Sequence, residues 1–449
     1  MRLLDVRLQN ITCFEDLTLD FRSEESDEPA PWVVLLGENG TGKSTILQMI
    51  ATAILGAYYL PLVASDVDWE RFVRWPASIG NIHLKAHLFN SSTSACKKLV
   101  ELGNPAFGKL VAHPWECVSI TAYDFMEFGC GYSPWRRLTR RNETDPNVVP
   151  TLDDGAIGFR FATLFGDAGA LTPVPTWLAG LYVRSIFPNH TPEDERRFTI
   201  AEKALGTVIS ASNSLLVTAD QRVFVEEHGR KIPIERLSDG YRGTLAWVGD
   251  LIRRLFDAYP DSDNPLHERG VVLVDEIDLH LHPQWQRSIV GDIRKLFPNL
   301  QFIVTTHSPF IAQGLQPKDK IIVLERHAKT GVVTAREDAG ALESWSADQI
   351  YSAYFGLSNG TRGDKTLKKE ARYERLLDAE AAGTLTDKTR DELRKLETKI
   401  DKIPVGETQG EEAVYRMAQT MADKLRRRRE ELERQQSEAM HNDVEVAAE

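Results

Sequence analysis

Cysteine is scarce in this sequence: the 449 residues include only four, Cys13, Cys96, Cys117 and Cys130. They stand far apart, with no Cys-x-x-Cys pair and no cysteine–histidine spacing typical of a zinc site. This favours buried or free thiols in a reducing compartment over a disulfide framework. No apolar run approaches the length of a membrane span, and the first residues lack the apolar segment of a signal peptide. We therefore expect a cytoplasmic protein without a membrane span.

Positive charge is not in excess either, because the formal net charge is -12. A general nucleic-acid coat protein would be basic overall, so that class is disfavoured, although a local basic groove is not. Hydrophobic residues make up 42% of the chain and charged residues 27%. These fractions are ordinary for a soluble globular protein with an ample core.

The chain changes character along its length. Two alternating strands over residues 3–21 precede the apolar strand WVVLLG and a helix from Gly42. Residues 60–230 mix short strands and helices, whereas 237–325 alternate strand and helix in the rhythm of a parallel sheet with crossover helices. Charged helices follow over 343–435, with Leu393, Leu396 and Ile400 on one helical face, and a polar tail occupies 436–449.

The strongest motif lies between the strand WVVLLG and the following helix. It matches GxxxxGK[ST], a loop whose glycines let backbone N–H groups and a helix N-terminus surround phosphates. Lys43 would reach the β- and γ-phosphates of ATP, and the Ser44 hydroxyl would ligate Mg²⁺. The predicted nucleotide-binding residues here are Gly37, Glu38, Asn39, Gly40, Thr41, Gly42, Lys43, Ser44 and Thr45.

A second motif ends the apolar strand VVLV with two carboxylates, Asp275 and Glu276. Behind a phosphate-binding loop, Asp275 would hold Mg²⁺ directly or through water. Glu276 would orient and deprotonate the attacking water, as a general base does. Two solvated acids at a strand end are the alternative.

Two further features can contact phosphate. Ser238, Asp239 and Gly240 open a helix, where a Ser-x-Gly turn makes another anion cradle or a simple helix cap. His307 follows the apolar strand QFIVTT and could contact the γ-phosphate or the attacking water. We therefore predict Lys43, Glu276 and His307 as catalytic residues.

These four motifs, in this order, resemble the ABC-type ATPases. The turn Leu237–Arg242 departs from their LSGGQ signature, with Asp239 at the third position and Tyr241 in place of glutamine. That variant, the N-terminal strand pair and the segment DEIDLHLHP are similar to the SMC/RecF/OLD branch of the family. The resemblance implies a homodimer, possible as part of a larger oligomer, in which ATP lies between Lys43 of one subunit and Ser238 of the other. Asp278 stands where the family has its interfacial D-loop.

The glutamine of the family's Q-loop is not identifiable. The segment Phe128–Arg137 lies where that loop is expected and looks like the GYGxxR loop of stand-alone ATPases of this branch. Arg136 and Arg137 could contact phosphate or the partner subunit, or they could be solvated arginines beside a loop.

The resemblance also implies the architecture. We expect an α/β fold: an ABC-type P-loop ATPase head over 1–342, with a mixed sheet and an antiparallel subdomain, followed by the helical extension. Long coiled-coil segments are absent from 60–230, and no Toprim nuclease pattern follows residue 325. The chain therefore looks like an ATPase without its own nuclease.

The segments Leu342–Ile350 and Tyr354–Leu357 are similar to the tail that follows the ATPase in subunits of the anti-phage systems PARIS and Septu. This implies a switch that controls a separate effector, a nuclease or a toxin. The alternatives are a RecF-like repair ATPase that clamps duplex DNA, and a nucleotide-bound scaffold with little turnover. The cationic run Lys424–Arg429 could meet DNA or an acidic partner, or form a solvated helix face.

Overall fold

The computed structural model describes most of the chain up to residue 355 and short stretches beyond it. The described residues are 1–63, 67–87, 96–102, 110–113, 115–116, 121–122, 128–136, 160–166, 171–209, 214–227, 229–339, 342, 345–355, 368–369, 372–373, 375–376, 379 and 386–400. The chain forms two compact units, Met1–Gly360 and Thr361–Glu449. The first unit extends beyond residue 342, where we expected the ATPase domain to end.

The first unit contains both kinds of sheet that the sequence predicts. Its strands are β1 (Arg2–Ile11), β2 (Phe14–Asp20), β3 (Trp32–Gly37), β4 (Gly80–His87), β5 (Cys96–Leu102), β6 (Leu110–Ala112), β7 (Trp115–Glu116), β8 (Thr121–Ala122), β9 (Gly129–Tyr132), β10 (Ser214–Val217), β11 (Val223–Glu227), β12 (Arg230–Pro233), β13 (Gly270–Val274), β14 (Leu300–Thr305), β15 (Lys320–Arg326) and β16 (Val333–Ala339).

The helices alternate with these strands. They are α1 (Lys43–Val63), α2 (Ala162–Phe165), α3 (Val174–Ile186), α4 (Pro192–Ile209), α5 (Asp239–Ala258), α6 (Pro283–Leu296), α7 (Pro309–Gln313), α8 (Ala347–Phe355) and, in the second unit, α9 (Asp387–Ile400). Short 3-10 turns span Trp69–Phe72, Ile234–Arg236 and Pro265–His267.

A six-stranded sheet carries the predicted motifs, in the order β16-β15-β3-β14-β13-β9. All neighbouring strands from β15 to β9 are parallel, and only β16 is antiparallel to its neighbour. Every residue of β3, β13 and β14 is buried, as expected where helices cover both faces of a sheet. The carboxyl ends of β3, β13, β14 and β9 therefore meet at one edge.

The antiparallel subdomain is built on β1, β2, β4 and β5, in the order β2-β1-β4-β5, with β6 and β7 pairing β5. Its inner face shares one core with α1 and one face of the parallel sheet. A second core, centred on α5, lies against the other face and includes the three-stranded sheet β10-β11-β12. The expected α/β ATPase head with an antiparallel subdomain is confirmed.

Helix α8 belongs to the first unit because its apolar face joins that unit's core. Ile350 and Tyr354 are buried there together with Leu342. The Tyr354 hydroxyl donates to Asp338 at 2.7 Å, and Arg336 donates to the carbonyl of Ala353 at 2.7 Å. The segment we compared with the tail of defence ATPases therefore packs on β16 up to the end of α8.

In the second unit, α9 covers Leu393, Leu396 and Ile400, which we predicted to lie on one helical face. Leu393 is buried on its apolar side, and Arg372 forms an ion pair with Glu392 at 2.8 Å. Residues 401–435 of the predicted charged helices, including Lys424–Arg429, and the tail at 436–449 lie outside the described residues.

Two expectations about the whole chain can be compared with the structure. Among the described residues, no helix combines the length and apolar character needed to cross a membrane. Cys13 and Cys130 are free thiols, but Cys96 is disulfide-bonded, so the expectation of free thiols is wrong for that residue.

Candidate active site

The glycine turn after β3 has the backbone geometry of a phosphate loop. Gly40 and Gly42 adopt φ angles of 79° and 86°, which glycine reaches without strain. A Cβ at Gly42 would lie 2.5 Å from the Phe14 ring, so the close packing of the β1–β2 hairpin also requires glycine there. Arg326 on β15 donates to the carbonyl of Gly40 from the other side.

Lys43, the first residue of α1, folds back over this turn. Its ammonium group donates to the carbonyls of Gly37 and Glu38 at 2.8 and 2.9 Å. Burial lowers the pKa of Lys43 to about 8, although Asp275 and Glu276 act in the opposite direction. Ser44, next along the helix, is exposed. The turn thus presents a lysine and a hydroxyl at a helix N-terminus.

Asp275 and Glu276 stand at the end of β13, beside β14 in the parallel sheet. The carboxylate of Asp275 is buried and accepts a hydrogen bond from the Thr305 hydroxyl at 2.5 Å. The same hydroxyl accepts from the backbone N–H of Glu276 at 2.7 Å. Thr305 therefore fixes both acidic residues relative to β14.

The side chain of Glu276 is only partly buried, and its environment favours the protonated form. Burial raises the pKa of Glu276, and the nearby charges of Asp275 and Asp278 raise it further, whereas Arg136 and Lys43 oppose this. Its backbone has a φ angle of 47°, in the left-handed region that residues other than glycine seldom adopt. Such a conformation persists only where the surroundings hold it in place.

His307 lies two residues beyond Thr305, in the turn that leads into α7. Burial and the charge of Lys43 lower its pKa, which favours a neutral imidazole. Thr306 donates to the Asp278 carboxylate at 2.5 Å, and Ser308 donates to Gln286 at 2.6 Å. These bonds tie the histidine turn to the segment that follows Glu276.

The turn before α5 differs from an ordinary helix cap. Ser238 occupies the N-cap position with extended backbone angles, but its side chain makes no capping hydrogen bond. Ser238 and Asp239 are exposed, whereas Gly240 is buried. A Cβ at Gly240 would lie 2.4 Å from the carbonyl oxygen of His280, so the start of α5 rests directly on the segment after Glu276.

Arg136, in the loop after β9, is the residue whose position the sequence left most open. Its guanidinium is buried and donates to the backbone carbonyl of Glu276 at 2.6 Å. Together with Trp135, Asp239, Arg242 and Glu276 it lines a cavity of about 700 Å³. Arg137 lies outside the described residues.

The structure therefore gathers most of the predicted site at one sheet edge. Lys43, Asp275, Glu276 and His307 act on one another electrostatically there. Asp239 lines the same cavity as Arg136 and Glu276, and Ser238 precedes it in the chain. Our sequence reasoning assigned no role to Thr305 and Thr306, although both stand in the motif TTHSP. The signal was a hydroxyl pair at the end of a buried strand.

Two family models match separate parts of the chain, and each part contains some of the predicted site residues. A family model described as "AAA domain, putative AbiEii toxin, Type IV TA system" matches residues 176–312, which include the signature turn, Glu276 and His307. A second model, described as an AAA domain, matches residues 5–71, which include the phosphate loop.

Two curated proteins are similar to this chain. The Septu protein PtuA of Bacillus mycoides is 26% identical over 91% of this chain and 52% of its own length. The retron Ec83 probable ATPase of Escherichia coli is 34% identical over 41% of this chain and 34% of its own. This chain therefore resembles Septu protein PtuA and the retron ATPases. It spans about half the length of the curated relatives it matches, or less.

Among solved structures, the SMC head domain from Thermotoga maritima is similar at 14% sequence identity and a TM-score of 0.42. The match covers 75% of this chain and 99% of the other. The predicted resemblance to the ATPase of Septu is confirmed by the relative named Septu protein PtuA.

Proposed function

We propose that this chain binds Mg-ATP and hydrolyses it in a homodimer, and that the dimer is a nucleotide-gated switch in anti-phage defence. The observation that carries the proposal is the meeting of Lys43, Asp275, Glu276 and His307 at one sheet edge, next to a helix N-terminus. Phosphate binding, metal binding, a base and a polar contact are the functions that phosphoryl transfer to water requires.

The residues present fit a magnesium nucleotide. Mg²⁺ prefers oxygen ligands and is usually held by one or two carboxylates together with substrate phosphates. The described residues contain no group of three or more His, Cys, Asp or Glu side chains that could hold a metal unaided. Asp275 and the exposed Ser44 hydroxyl would supply the protein oxygens. Bound Mg²⁺ would neutralise charge that develops on the phosphates.

The hydrolytic step assigns the proton to Glu276. Water attacks the γ-phosphorus, the bond to the bridging oxygen breaks, and Glu276 accepts the proton of the attacking water. Lys43 stabilises the negative charge of the phosphates, for which its ammonium keeps one N–H beyond the two that bond the carbonyls of Gly37 and Glu38. A neutral His307 can donate or accept a hydrogen bond at the γ-phosphate or the water.

The dimer follows from the signature turn. Ser238 is exposed at a helix N-terminus, and its side chain makes no hydrogen bond to its own helix, so its hydroxyl can meet an anion from outside the chain together with the adjacent N–H groups. The nucleotide held by the phosphate loop of a second copy is the occupant we propose. Nucleotide binding then controls dimer closure, and closure controls a separately encoded effector, a nuclease or a toxin. The names of the relatives support this role.

A second function, contact with DNA, is favoured by one surface. Arg7, His83, Lys85, Lys97 and Lys98 line a groove of about 560 Å³ on the antiparallel sheet, together with Asp5 and Thr18. A dimer that clamps duplex DNA through several phosphates would bind with steep salt dependence. Duplex binding with no salt dependence, or no binding, in the ATP-bound state would exclude this function.

Glu276→Gln tests the central proposal. The substitution removes the base but keeps the size of the side chain, so phosphate release should fall about 10²–10⁴-fold. The ATP-bound dimer should accumulate, measured by light scattering with and without nucleotide. An unchanged rate would exclude Glu276 as the base. A slow wild-type rate that the substitution does not lower would instead favour a nucleotide-bound scaffold.

A further inference from the structure

We propose that Arg136 is a positioning residue for ATP hydrolysis, which holds the backbone of Glu276 and links it to the helix that carries the signature turn. The inference rests on the proposed function, since it concerns the same reaction. It assigns a role to the loop after β9, in which the sequence shows no glutamine of the expected kind.

The first step is the contact with Glu276. Arg136 reaches across from the end of β9 and donates to the Glu276 carbonyl at 2.6 Å, while Thr305 accepts from the Glu276 N–H at 2.7 Å. Glu276, whose backbone is left-handed, is thus held by hydrogen bonds to both its N–H and its carbonyl. Because the Cα–Cβ direction follows from the backbone, this pair of bonds fixes the direction in which the Glu276 side chain leaves the chain.

Arg136 also places a positive charge among the acidic residues of the site. The Arg136 guanidinium is buried among Asp275, Glu276 and Asp278, whose charges partly offset the effect of burial. Burial lowers the pKa of Arg136 to about 10, so it stays protonated at neutral pH. Its Nη1 atom is buried and has no hydrogen-bond partner among the described residues. A buried donor without a partner is costly, which is acceptable at a site where function requires the group.

The third step is the link to the signature helix. A Cβ at Gly243, one turn into α5, would lie 3.5 Å from the Arg136 carbonyl oxygen, in ordinary contact. Asp239 and Arg242 of the same turn form an ion pair at 3.3 Å and line the cavity beside Arg136. The loop after β9 therefore lies between α5 and Glu276.

These contacts connect two half-sites. In the proposed dimer, the signature turn serves the partner's nucleotide, whereas Glu276 serves the nucleotide of its own chain. A shift of α5 on closure would act on the Arg136 backbone and, through its side chain, on the Glu276 carbonyl. Arg136 would then make hydrolysis in one half-site depend on contact made by the other.

The test compares Arg136→Gln, Arg136→Lys and Glu276→Gln in the full chain. We expect Arg136→Gln to lower kcat about 10²-fold, the typical cost of a small misplacement of a catalytic group. The Kd for ATP, measured by calorimetry, should stay within about threefold, because the hydrogen bond that Arg136 makes is to the Glu276 carbonyl and not to the phosphate loop. Arg136→Lys should recover part of the rate, since an ammonium can still donate one hydrogen bond to the carbonyl but lacks the planar fork.

A double-mutant cycle with Ser238→Ala tests the link to α5. If Arg136 transmits the state of the signature turn, Ser238→Ala should lower kcat much less in the Arg136→Gln background than in the wild type. Fully additive losses would show that the two residues act independently, as distant sites usually do. That result would overturn the link.

The matched control is Arg294→Gln, which removes a partly buried arginine on the last turn of α6 that forms an ion pair with the buried Asp319 at 2.5 Å. It should lower thermal stability and leave kcat of the folded protein unchanged. An Arg136→Gln variant that keeps its kcat, or loses ATP affinity as much as kcat, would refute the positioning role. If Glu276→Gln also left kcat unchanged, the proposed function itself would fail, so the two failures are distinguishable.

Discussion

The two helix N-termini that can bind phosphate, at Lys43 and at Ser238, differ in what their own chain offers them. The turn before α1 is internally bonded: Lys43 binds the carbonyls of Gly37 and Glu38, and Thr41 donates to Glu38 at 2.8 Å. The Ser238 hydroxyl makes no capping bond. The turn before α1 therefore makes its hydrogen bonds within one chain. The turn before α5 instead presents the Ser238 hydroxyl to a ligand or partner outside the chain.

The largest expected effect is a loss of stability, and it concerns α5, the helix that the Ser238 turn opens. Asp250 of α5 is fully buried and accepts hydrogen bonds from Tyr132 at 3.0 Å, from the Thr172 hydroxyl at 2.6 Å and from Arg254. Asp250→Ala would leave the buried charge of Arg254 without its partner and should lower the free energy of unfolding by about 3–5 kcal/mol. Urea unfolding measures the loss. The exposed Asp263 offers the control, and Asp263→Ala should change stability little.

Asp250 should also make the stability of the protein depend on pH. Burial acts to raise the pKa of Asp250, but Arg254 and Thr172 outweigh it, so the pKa is lower in the folded state than the ordinary value. A lowered pKa means that Asp250 contributes its full stability above its ordinary pKa and loses it as the pH falls through the folded pKa. Asp250→Ala should therefore flatten the acid limb of stability against pH. An unchanged limb would contradict the pairing.

The next largest effect separates the two turns. Lys43→Ala removes a charge-assisted contact with phosphate and should weaken ATP binding about 10²-fold, because such a contact is worth roughly 1.5–3 kcal/mol. Calorimetry on the monomer measures it. Lys320→Ala, which removes another buried lysine paired with Glu337 at 2.9 Å, should leave the affinity unchanged. If Lys43→Ala kept the wild-type affinity for ATP, the turn before α1 would not be the phosphate-binding turn.

Ser238→Ala should do the opposite. ATP binding to one chain should remain, whereas hydrolysis should fall about 10–10²-fold, toward the loss seen when one donor to a transition-state charge is removed. The nucleotide-dependent dimer should weaken at the same time. Ser288→Ala, on the exposed side of α6, serves as the control. If Ser238→Ala weakened monomer binding as Lys43→Ala does, both turns would serve one nucleotide in the same chain.

The smallest expected effect tests the close packing of Gly240 against His280. Gly240→Ala forces a Cβ to within 2.4 Å of the His280 carbonyl oxygen, a contact that the backbone must move to relieve. We expect a loss of about 1–3 kcal/mol in the free energy of unfolding. Gly291→Ala, inside α6 with nothing within 4 Å of the new Cβ, should instead raise stability by about 0.5–1 kcal/mol. Equal effects in thermal melts would show that Gly240 is not tightly packed.

Sequence alone determined the parts of the molecule that depend on local chemistry. The phosphate loop at Gly37–Ser44, the buried strand before Asp275 and the alternation of strand and helix follow from residue type and spacing. The parallel sheet then follows, because strands joined by helices pair in parallel. The order of strands was not predicted, and the placement of ATP between Lys43 and Ser238 came from the family resemblance rather than from the residues.

Only the tertiary structure decided how the loops behind the motifs are joined. Nothing in the spacing of Arg136, Thr305 and Glu276 indicates that one carbonyl and one N–H of Glu276 are held by residues 140 and 29 positions away in the chain. Nor does it show that the Ser238 hydroxyl leaves its own helix uncapped. Such contacts depend on side chains that point from different strands into one space, and pairwise packing over long sequence separations leaves no periodic signal in the residues.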